Sequence, residues 1–309
     1  MSLLTVGSVA FDAIETPFGK TDKIIGGAGT YIAIAASFFE KNQKICAVVG
    51  DDFPQSMLDL LSSRNVDLEG LQIKQGEKSF FWSGKYHNDM NSRDTLITEL
   101  NVLEHFDPII PASYQGVEFL MLGNLTPQVQ KTVVERLTER PKLVAMDTMN
   151  FWMDIAMDDL KETLKVVDLL IVNDEEARQL SGVSSLMKAS KIIRDMGPKY
   201  LIIKKGEHGA LLFHGENVFC APGLPLEEVF DPTGAGDTFA GGFMGYLAAS
   251  GDISFDNMKR AVIAGSALAS FCVEKFGTEK LTQINQNDLE NRIQQFVALA
   301  NFEMTMQVG

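Results

Sequence analysis

Strand-like and helix-like segments alternate along most of this chain of 309 residues, and this alternation constrains the fold more than any other feature. Short apolar runs such as Leu3–Gly7 and Ile45–Val49 are typical of buried strands, and Gly29–Lys41 carries apolar residues at helical spacing. Strands that alternate with helices are joined by crossovers, which produce a parallel sheet covered by helices. We therefore predict a three-layer α/β sandwich with a mostly parallel central sheet, forming a single domain over residues 1–309.

Two stretches do not follow the alternation. Phe11–Ile24 follows the first strand without a helix, and Ser79–Thr98 combines aromatic residues with partial strand alternation. Each is either a surface loop or part of a small sheet that covers a ligand site. A cover of the second kind excludes water from a reaction centre. We predict a small β-sheet lid formed by about residues 11–24 and 79–98.

Composition argues against several classes of function. The formal net charge of −14 disfavours nucleic acid and anionic membranes as partners, because both require a positive field. The three cysteines are far apart and the four histidines lack metal-site spacing, which disfavours disulfides and a zinc site. We find no signal-peptide pattern and no apolar run long enough to span a bilayer, so we expect a cytoplasmic protein.

Two common nucleotide-binding motifs are absent from the sequence. Gly19-Lys20-Thr21 resembles the end of a P-loop, but Ile14 occupies the position of the first glycine. Neither Gly27-Ala28-Gly29 nor Gly234-Ala235-Gly236 continues to the G-x-G-x-x-G pattern of dinucleotide-binding proteins. This absence disfavours an NAD-dependent oxidoreductase.

The segment Asp231–Gly242 (DPTGAGDTFAGG) carries the strongest chemical signal. Its small residues crowd a turn that opens an apolar helix, so that backbone N–H groups can approach an anion at the positive end of the helix dipole. Asp237 lies in the first turn of that helix. A lone carboxylate there would be explained as a helix cap, but the twelve residues together are far more specific.

This segment resembles the C-terminal signature of the ribokinase-like family, the PfkB-type carbohydrate and nucleoside kinases. Gly26–Gly29 resembles the family's diglycine motif, Asn173–Glu176 its N-x-x-E motif and Lys205–Gly209 its G-x-x-G nucleotide loop. The resemblance covers nearly the whole chain. It implies an enzyme that uses ATP and Mg²⁺ to phosphorylate a hydroxyl of a small sugar or sugar-like molecule, giving a sugar phosphate and ADP.

The resemblance also implies the roles of individual residues. Asp237 would take the proton from the attacking hydroxyl, and the N–H groups of Gly234, Ala235 and Gly236 would bind the transferred phosphoryl group. Asn173 and Glu176 would organise Mg²⁺ through water, unless they only cap a helix. The implied ATP contacts are Asn173, Lys205, Gly206, Gly209, Gly234, Gly236 and Ser266.

On the acceptor side, Asp12 resembles the family's aspartate that accepts hydrogen bonds from two sugar hydroxyls. Sugar-binding members often carry asparagine where Tyr31 stands, which removes an amide and adds a ring. Asn124 and Asp147 follow strands at positions where a parallel sheet presents ligand groups, or they are only turn residues. The predicted acceptor contacts are Asp12, Gly26, Gly27, Tyr31 and Asn124.

Further expectations follow from the same resemblance. Asp231 and Thr233 match positions that in some relatives bind a monovalent cation such as K⁺, with carbonyls near Cys272, Lys275 and Gly277 closing the site. In many relatives the lid forms a dimer contact, so we predict a homodimer through the lid.

Besides a sugar kinase, the sequence leaves open a nucleoside kinase on the same fold, which aromatic residues of the lid favour. A third alternative is a nucleotide-sensing protein without activity, which the intact Asp237 disfavours.

Overall fold

The computed structural model describes residues 1–90 and 92–301 of the chain. The strands within this part are β1 (Leu3–Val6), β2 (Ala10–Thr16), β3 (Gly19–Lys20), β4 (Ile24–Gly26), β5 (Gln43–Gly50), β6 (Val66–Lys74), β7 (Phe81–Tyr86), β8 (Arg93–Glu99), β9 (Phe119–Leu122), β10 (Leu143–Asp147), β11 (Leu169–Asn173), β12 (Tyr200–Lys204), β13 (Ala210–His214) and β14 (Asn217–Ala221). The α-helices are α1 (Ala28–Ala36), α2 (Gln55–Ser63), α3 (Pro127–Arg136), α4 (Asn150–Ile155), α5 (Met157–Leu164), α6 (Asp174–Ser181), α7 (Leu186–Asp195), α8 (Ala235–Ser250), α9 (Phe255–Cys272), α10 (Glu279–Gln283) and α11 (Gln286–Ala300).

Nine strands form the large sheet, in the order β14-β13-β12-β11-β10-β9-β1-β5-β6. The pairings from β12 to β6 are all parallel, and only β13 and β14 at one end pair in antiparallel fashion. Such a sheet requires helices on both faces, because every parallel connection crosses over one face. The predicted α/β sandwich with a mostly parallel sheet is confirmed.

Two apolar cores lie on opposite faces of this sheet. In β11, Leu170 and Val172 pack against helices α3, α5, α6 and α7, whereas Leu169 and Ile171 pack on the side of α1, α8 and α9. This alternation follows from the two-residue period of a strand. The strands are therefore apolar on both faces, which explains why they appear in the sequence as continuous apolar runs.

Helix α8 packs between α1 and α9 through glycines of the Asp231–Gly242 segment. A Cβ atom added to Gly241 would lie 2.3 Å from the Ile32 carbonyl oxygen of α1. One added to Gly242 would lie 2.9 Å from the Gly265 Cα of α9. Only hydrogen fits at these positions, so these glycines fix the helix that carries the candidate active site.

The second sheet contains β3-β2-β7-β8, with β4 also paired to β2. Its pairings are antiparallel except for β2 with β7. Asp12 pairs with Trp82, and Tyr86 pairs with Arg93. Paired residues, and residues two apart on one strand, point to the same side of a sheet. These four residues therefore define one side, which we call the inner face of the small sheet.

The predicted small sheet is confirmed, and several other elements differ from the sequence prediction. The helix predicted over Gly29–Lys41 ends at Ala36. We did not predict β6, α4, α5 or α10. Within the described residues, no helix is long and apolar enough to cross a membrane.

Candidate active site

Polar residues end four neighbouring strands of the large sheet. Lys204, Asn173 and Asp147 are the last residues of β12, β11 and β10, and Asn124 comes two residues after β9. These strands are parallel neighbours, so their carboxyl ends meet at the same edge. Ligands of open α/β sheets bind at this edge. The candidate active site therefore lies there, facing the first turn of α8.

The turn before α8 is shaped by Gly234. This residue is the N-cap of the helix and has φ 74°, a left-handed conformation that glycine adopts without strain. A Cβ atom at Gly234 would also lie 2.4 Å from Tyr31 Cζ, so the tyrosine ring packs directly against the turn. Tyr31 is 1% exposed and its hydroxyl has no hydrogen-bond partner among the described residues. The buried Tyr31 ring therefore supports the turn at Gly234.

Negative charge is concentrated around one lysine. Lys204 Nζ lies 3.7 Å from Asp147 Oδ2. Burial, and then the negative charge of Asp147, raise the pKa of both Asp237 and Glu176 to about 7, although Lys204 and Arg93 oppose the increase. Burial also raises the pKa of Asp147, opposed by Lys204. The three carboxylates together keep Lys204 protonated, because they raise its pKa more than burial lowers it.

Asp12 lies against the diglycine motif. A Cβ atom on Gly26 would lie 1.9 Å from Asp12 Oδ2, so the carboxylate occupies the space that a side chain at position 26 would need. Burial raises the pKa of Asp12 to about 7, and the charges of Asp231 and Asp237 add to the increase. Gly27 has φ 89° and its N–H lowers the pKa of Asp12 in part. The predicted base and the predicted acceptor-binding carboxylate therefore interact across one cleft.

Asn173 and Glu176 form a reciprocal cap at the start of α6. Asn173 Oδ1 accepts a hydrogen bond from the Glu176 N–H at 2.7 Å, and Glu176 Oε2 accepts one from the Asn173 N–H at 2.7 Å. Asn173 and Glu176 therefore do cap the helix, and the cap uses only Oε2 of the buried Glu176. Within the described residues, no three His, Cys, Asp or Glu side chains lie close enough together to hold a metal ion. A metal here would need water or phosphate oxygens to complete its coordination.

Asp231 joins the turn before α8 to the segment after α9. Its Oδ1 accepts a hydrogen bond from the Thr233 N–H at 2.9 Å, and its Oδ2 accepts one from the Gly277 N–H at 2.9 Å. The carboxylate is fully buried, and no lysine or arginine in the described part of the chain forms an ion pair with it. Burial raises the pKa of Asp231 despite these hydrogen bonds. A cation near this carboxylate would offset that cost.

The small sheet contacts the turn before α8 through Tyr86. Thr233 Oγ1 donates a hydrogen bond to the Tyr86 hydroxyl at 3.2 Å, and the charge of the neighbouring Arg93 opposes the increase that burial causes in the pKa of this hydroxyl. The Arg93 guanidinium lies 5.5 Å from the centre of the Trp82 ring, and its charge lowers the pKa of Asp12. Tyr86 and Arg93 of the inner face therefore lie near the turn before α8 and near Asp12.

The remaining predicted residues have other surroundings. The Asn124 amide is already engaged, because its Oδ1 accepts a hydrogen bond from Trp152 Nε1 at 2.9 Å and its Nδ2 contacts Met149 Sδ at 3.0 Å. The G-x-x-G segment forms the turn between β12 and β13, closed by a hydrogen bond from the Lys205 N–H to the Gly209 carbonyl at 2.8 Å. Ser266 lies half-buried on α9. Lys205, Gly206, Gly209 and Ser266 stay predicted ATP contacts.

Two charged residues of the site were not predicted. Lys204 stands at a strand end, and the reasoning applied to Asn124 and Asp147 would have identified it. Arg93 reaches the site only because β8 pairs with β7 on the inner face. No pattern in the sequence around Arg93 indicates that position.

The chain matches one protein family over most of its length. The profile of the pfkB family carbohydrate kinases matches residues 2–285, which is nearly the whole chain. The chain belongs to this family. Kinase activity and the use of ATP follow from that membership, and the resemblance inferred from the four motifs is confirmed.

Individual relatives cover most of this pfkB chain. A cytidine kinase from Thermococcus kodakarensis is 32% identical over 251 residues, covering 79% of this chain and 87% of the relative. A nucleoside kinase from Methanothermobacter thermautotrophicus is 27% identical over 319 residues, covering 97% of both chains. The structure is also similar to a nucleoside kinase from Methanocaldococcus jannaschii, with a TM-score of 0.77, 19% identity and coverage of 95% of this chain and 98% of the other. This last similarity supports the fold alone.

Proposed function

We propose that this pfkB kinase transfers the γ-phosphoryl group of ATP to a hydroxyl of a nucleoside, with Asp237 as the general base. One observation carries the proposal: the Asp237 carboxylate begins α8 beside the Gly234–Gly236 turn and shares a cleft with Asp12. A base with a pKa of about 7 is well matched to proton transfer near neutral pH.

The proposed reaction divides the work between a few groups. Asp12 accepts hydrogen bonds from acceptor hydroxyls and orients them, because a charged acceptor binds hydroxyls more strongly than a neutral one. Asp237 takes the proton of the attacking hydroxyl, whose oxygen bonds to the γ-phosphorus as the bond to ADP breaks. The N–H groups of Gly234, Ala235 and Gly236 stabilise the phosphoryl charge.

We propose that Asn173 and Glu176 organise Mg²⁺ through water. The chemistry of the surroundings fits a cation, because Asp147, Glu176 and Asp237 outnumber the nearby Lys204. Bound with ATP, the metal would neutralise phosphate charge. Oε1 of Glu176, which the helix cap does not use, and the amide of Asn173 would orient its water ligands.

Trp82 supports a nucleoside as the acceptor. It pairs with Asp12 on the inner face, and a Cβ atom at Gly84 would lie 2.1 Å from its ring, so the indole packs against that glycine. Phe11 and Phe18 of the lid pack against other aromatic rings, Phe53 and Phe230, whereas Trp82 has Arg93 over its ring and no aromatic partner among the described residues. A flat base can stack on an aromatic face for roughly 1–3 kcal/mol. The nucleoside-kinase relatives favour the same acceptor class.

An acceptor panel tests the proposal. We expect cytidine, adenosine or inosine to be phosphorylated with a kcat/KM at least about tenfold above that of ribose, fructose and ketodeoxy sugar acids, given the stacking energy. Trp82→Ala should weaken binding of the nucleoside and leave ATP binding unchanged. Ser83→Ala, on the opposite side of the same sheet, should change neither affinity. Turnover of free sugars alone would end the nucleoside proposal and leave a sugar kinase.

Four further features belong to the proposal. The small sheet acts as the lid, supported by its contact with Thr233. Asp231 and Thr233 bind a monovalent cation, supported by the buried carboxylate without an ion pair in the described residues. Two chains associate through the lid, supported by the exposed strand β8 with its apolar Leu96 and Ile97. The enzyme works in the cytoplasm, where ATP is available.

A further inference from the structure

Lys204 has no role in the function proposed above, although it lies at the centre of the site. It is the last residue of β12, and its side chain is mostly buried, with 18% of its surface exposed. A lysine among buried groups is costly unless it is paired and hydrogen-bonded. A specific purpose is therefore to be expected for this side chain.

Most of the hydrogen-bonding capacity of Lys204 is not used by the described residues, since Asp147 can engage at most one of its donors, and only weakly. An ammonium group offers three donors. The nearest carboxylate oxygen, Asp147 Oδ2, is 3.7 Å from Nζ, which is beyond hydrogen-bond distance. Asp147 itself satisfies its Oδ1 with the Thr148 N–H at 2.8 Å. The ammonium group thus has donors available for an anion that enters the cleft.

The position of Lys204 relative to the turn before α8 identifies that anion. A Cβ atom added to Gly236 would lie 2.6 Å from Lys204 Nζ, so the ammonium group lies against the backbone of Gly236. Gly236 follows the N-cap of α8 by two residues, in the turn proposed to bind the transferred phosphoryl group. An anion held by the N–H groups of this turn would be within reach of Nζ. A side chain at position 236 would block that approach.

We propose that Lys204 is a catalytic residue that donates hydrogen bonds to the transferred phosphoryl group and is held in place by Asp147 before ATP binds. The inference rests on the proposed kinase function. Charge on the phosphoryl oxygens must be neutralised as the group moves, and a positioned ammonium group does this without reorganisation of solvent. Asp147 keeps the ammonium group directed into the cleft.

A purely structural role makes a different prediction. If Lys204 only neutralised Asp147, then removing both charges together would restore activity. The variants Lys204→Met and Lys204→Met/Asp147→Asn separate the two roles. The double variant also guards against misfolding, because it leaves no unpaired Asp147 carboxylate behind. Lys199→Met, at an exposed lysine just before β12, is the matched control.

The test measures kcat and the binding of a transition-state mimic, MgADP with aluminium fluoride, compared with MgADP alone. We expect both Lys204 variants to lose about 10²–10³ in kcat, the usual effect of removing one donor to a developing charge. Both should lose affinity for the mimic far more than for MgADP, and Lys204→Arg should recover part of each. Lys199→Met should behave as wild type.

Recovery of the double variant to within a few-fold of wild-type kcat would overturn the proposal, as would unchanged binding of the mimic. If the single variant does not fold, the double variant decides alone. Wild-type turnover on the acceptor panel tests the proposed function separately. If no acceptor on the panel is phosphorylated, the proposed function is wrong. Binding of the transition-state mimic would still show whether Lys204 contacts the phosphoryl group.

Discussion

Three carboxyl groups of the site have pKa values far above those of exposed carboxyl groups. Asp12, Glu176 and Asp237 are held with pKa values of about 7, against ordinary values of 3.8 for aspartate and 4.5 for glutamate. At a pH between the ordinary values and about 7, these three carboxyl groups are therefore protonated in the folded protein but ionised in the unfolded chain. Groups arranged for catalysis commonly reduce stability in this way.

The pH dependence of stability follows from these shifts. Because folding raises the pKa of Asp237, its contribution to stability is fully present below about pH 4 and is lost as the pH rises through about 7. Asp237→Asn should therefore raise the melting temperature more at pH 8 than at pH 5, because the penalty grows over the whole interval between the two pKa values. Thermal unfolding at both pH values, with exposed Asp22→Asn as the control, checks this. A variant less stable than wild type at pH 8 would contradict the assigned environment.

The two glutamates at the start of α6 provide a matched pair for the metal proposal. Glu176 is buried and faces the cleft, whereas the adjacent Glu175 is exposed. Glu176→Gln keeps the capping oxygen but removes charge, so the Mg²⁺ concentration for half-maximal activity should increase about 10- to 100-fold. Acceptor KM should change much less, and Glu175→Gln should change neither. A Mg²⁺ titration identical to wild type would locate the metal elsewhere.

At the scale of elements, how well the sequence predicted each part depended on whether the signal was local. The large sheet, α8 and the place of Asp237 in its first turn were predictable because apolar runs and the Asp231–Gly242 segment carry their information in consecutive residues. Strand β6 was missed because it is a partly exposed edge strand with charged residues. Arg93 was missed because its place depends on how β8 pairs with β7, including an irregularity after Ser83.

The hydrogen bond between Tyr86 and Thr233 allows a test of whether the small sheet acts as a lid. Tyr86→Phe removes the contact with Thr233 Oγ1, a bond worth about 0.5–1.5 kcal/mol. We expect kcat to fall by up to about tenfold and ATP hydrolysis without acceptor to increase, because the lid excludes water less well. Tyr246→Phe is the control, since no hydrogen bond of its hydroxyl involves the described residues. Unchanged kcat and unchanged hydrolysis in Tyr86→Phe would remove the contact from the mechanism.

At the scale of the whole molecule, the exposed outer edge of the lid predicts association. Strand β8 is exposed along its whole length, and an edge strand of this kind pairs readily with another chain. Sedimentation at micromolar concentration should therefore give a species of twice 34.0 kDa. Ile97→Glu, which adds charge to this strand, should shift the protein toward the monomer without loss of folding. A wild-type protein that sediments only at 34.0 kDa would contradict the dimer.

The central claim is that Asp237 is the base of a phosphoryl transfer to an acceptor hydroxyl, and the turnover of Asp237→Asn tests it most directly. Asparagine has nearly the same shape as aspartate but cannot take the proton. We expect kcat to fall by about 10²–10⁴, the usual contribution of a general base, while MgATP binding stays close to wild type. A variant that retains more than half of the wild-type turnover would contradict the assignment of Asp237.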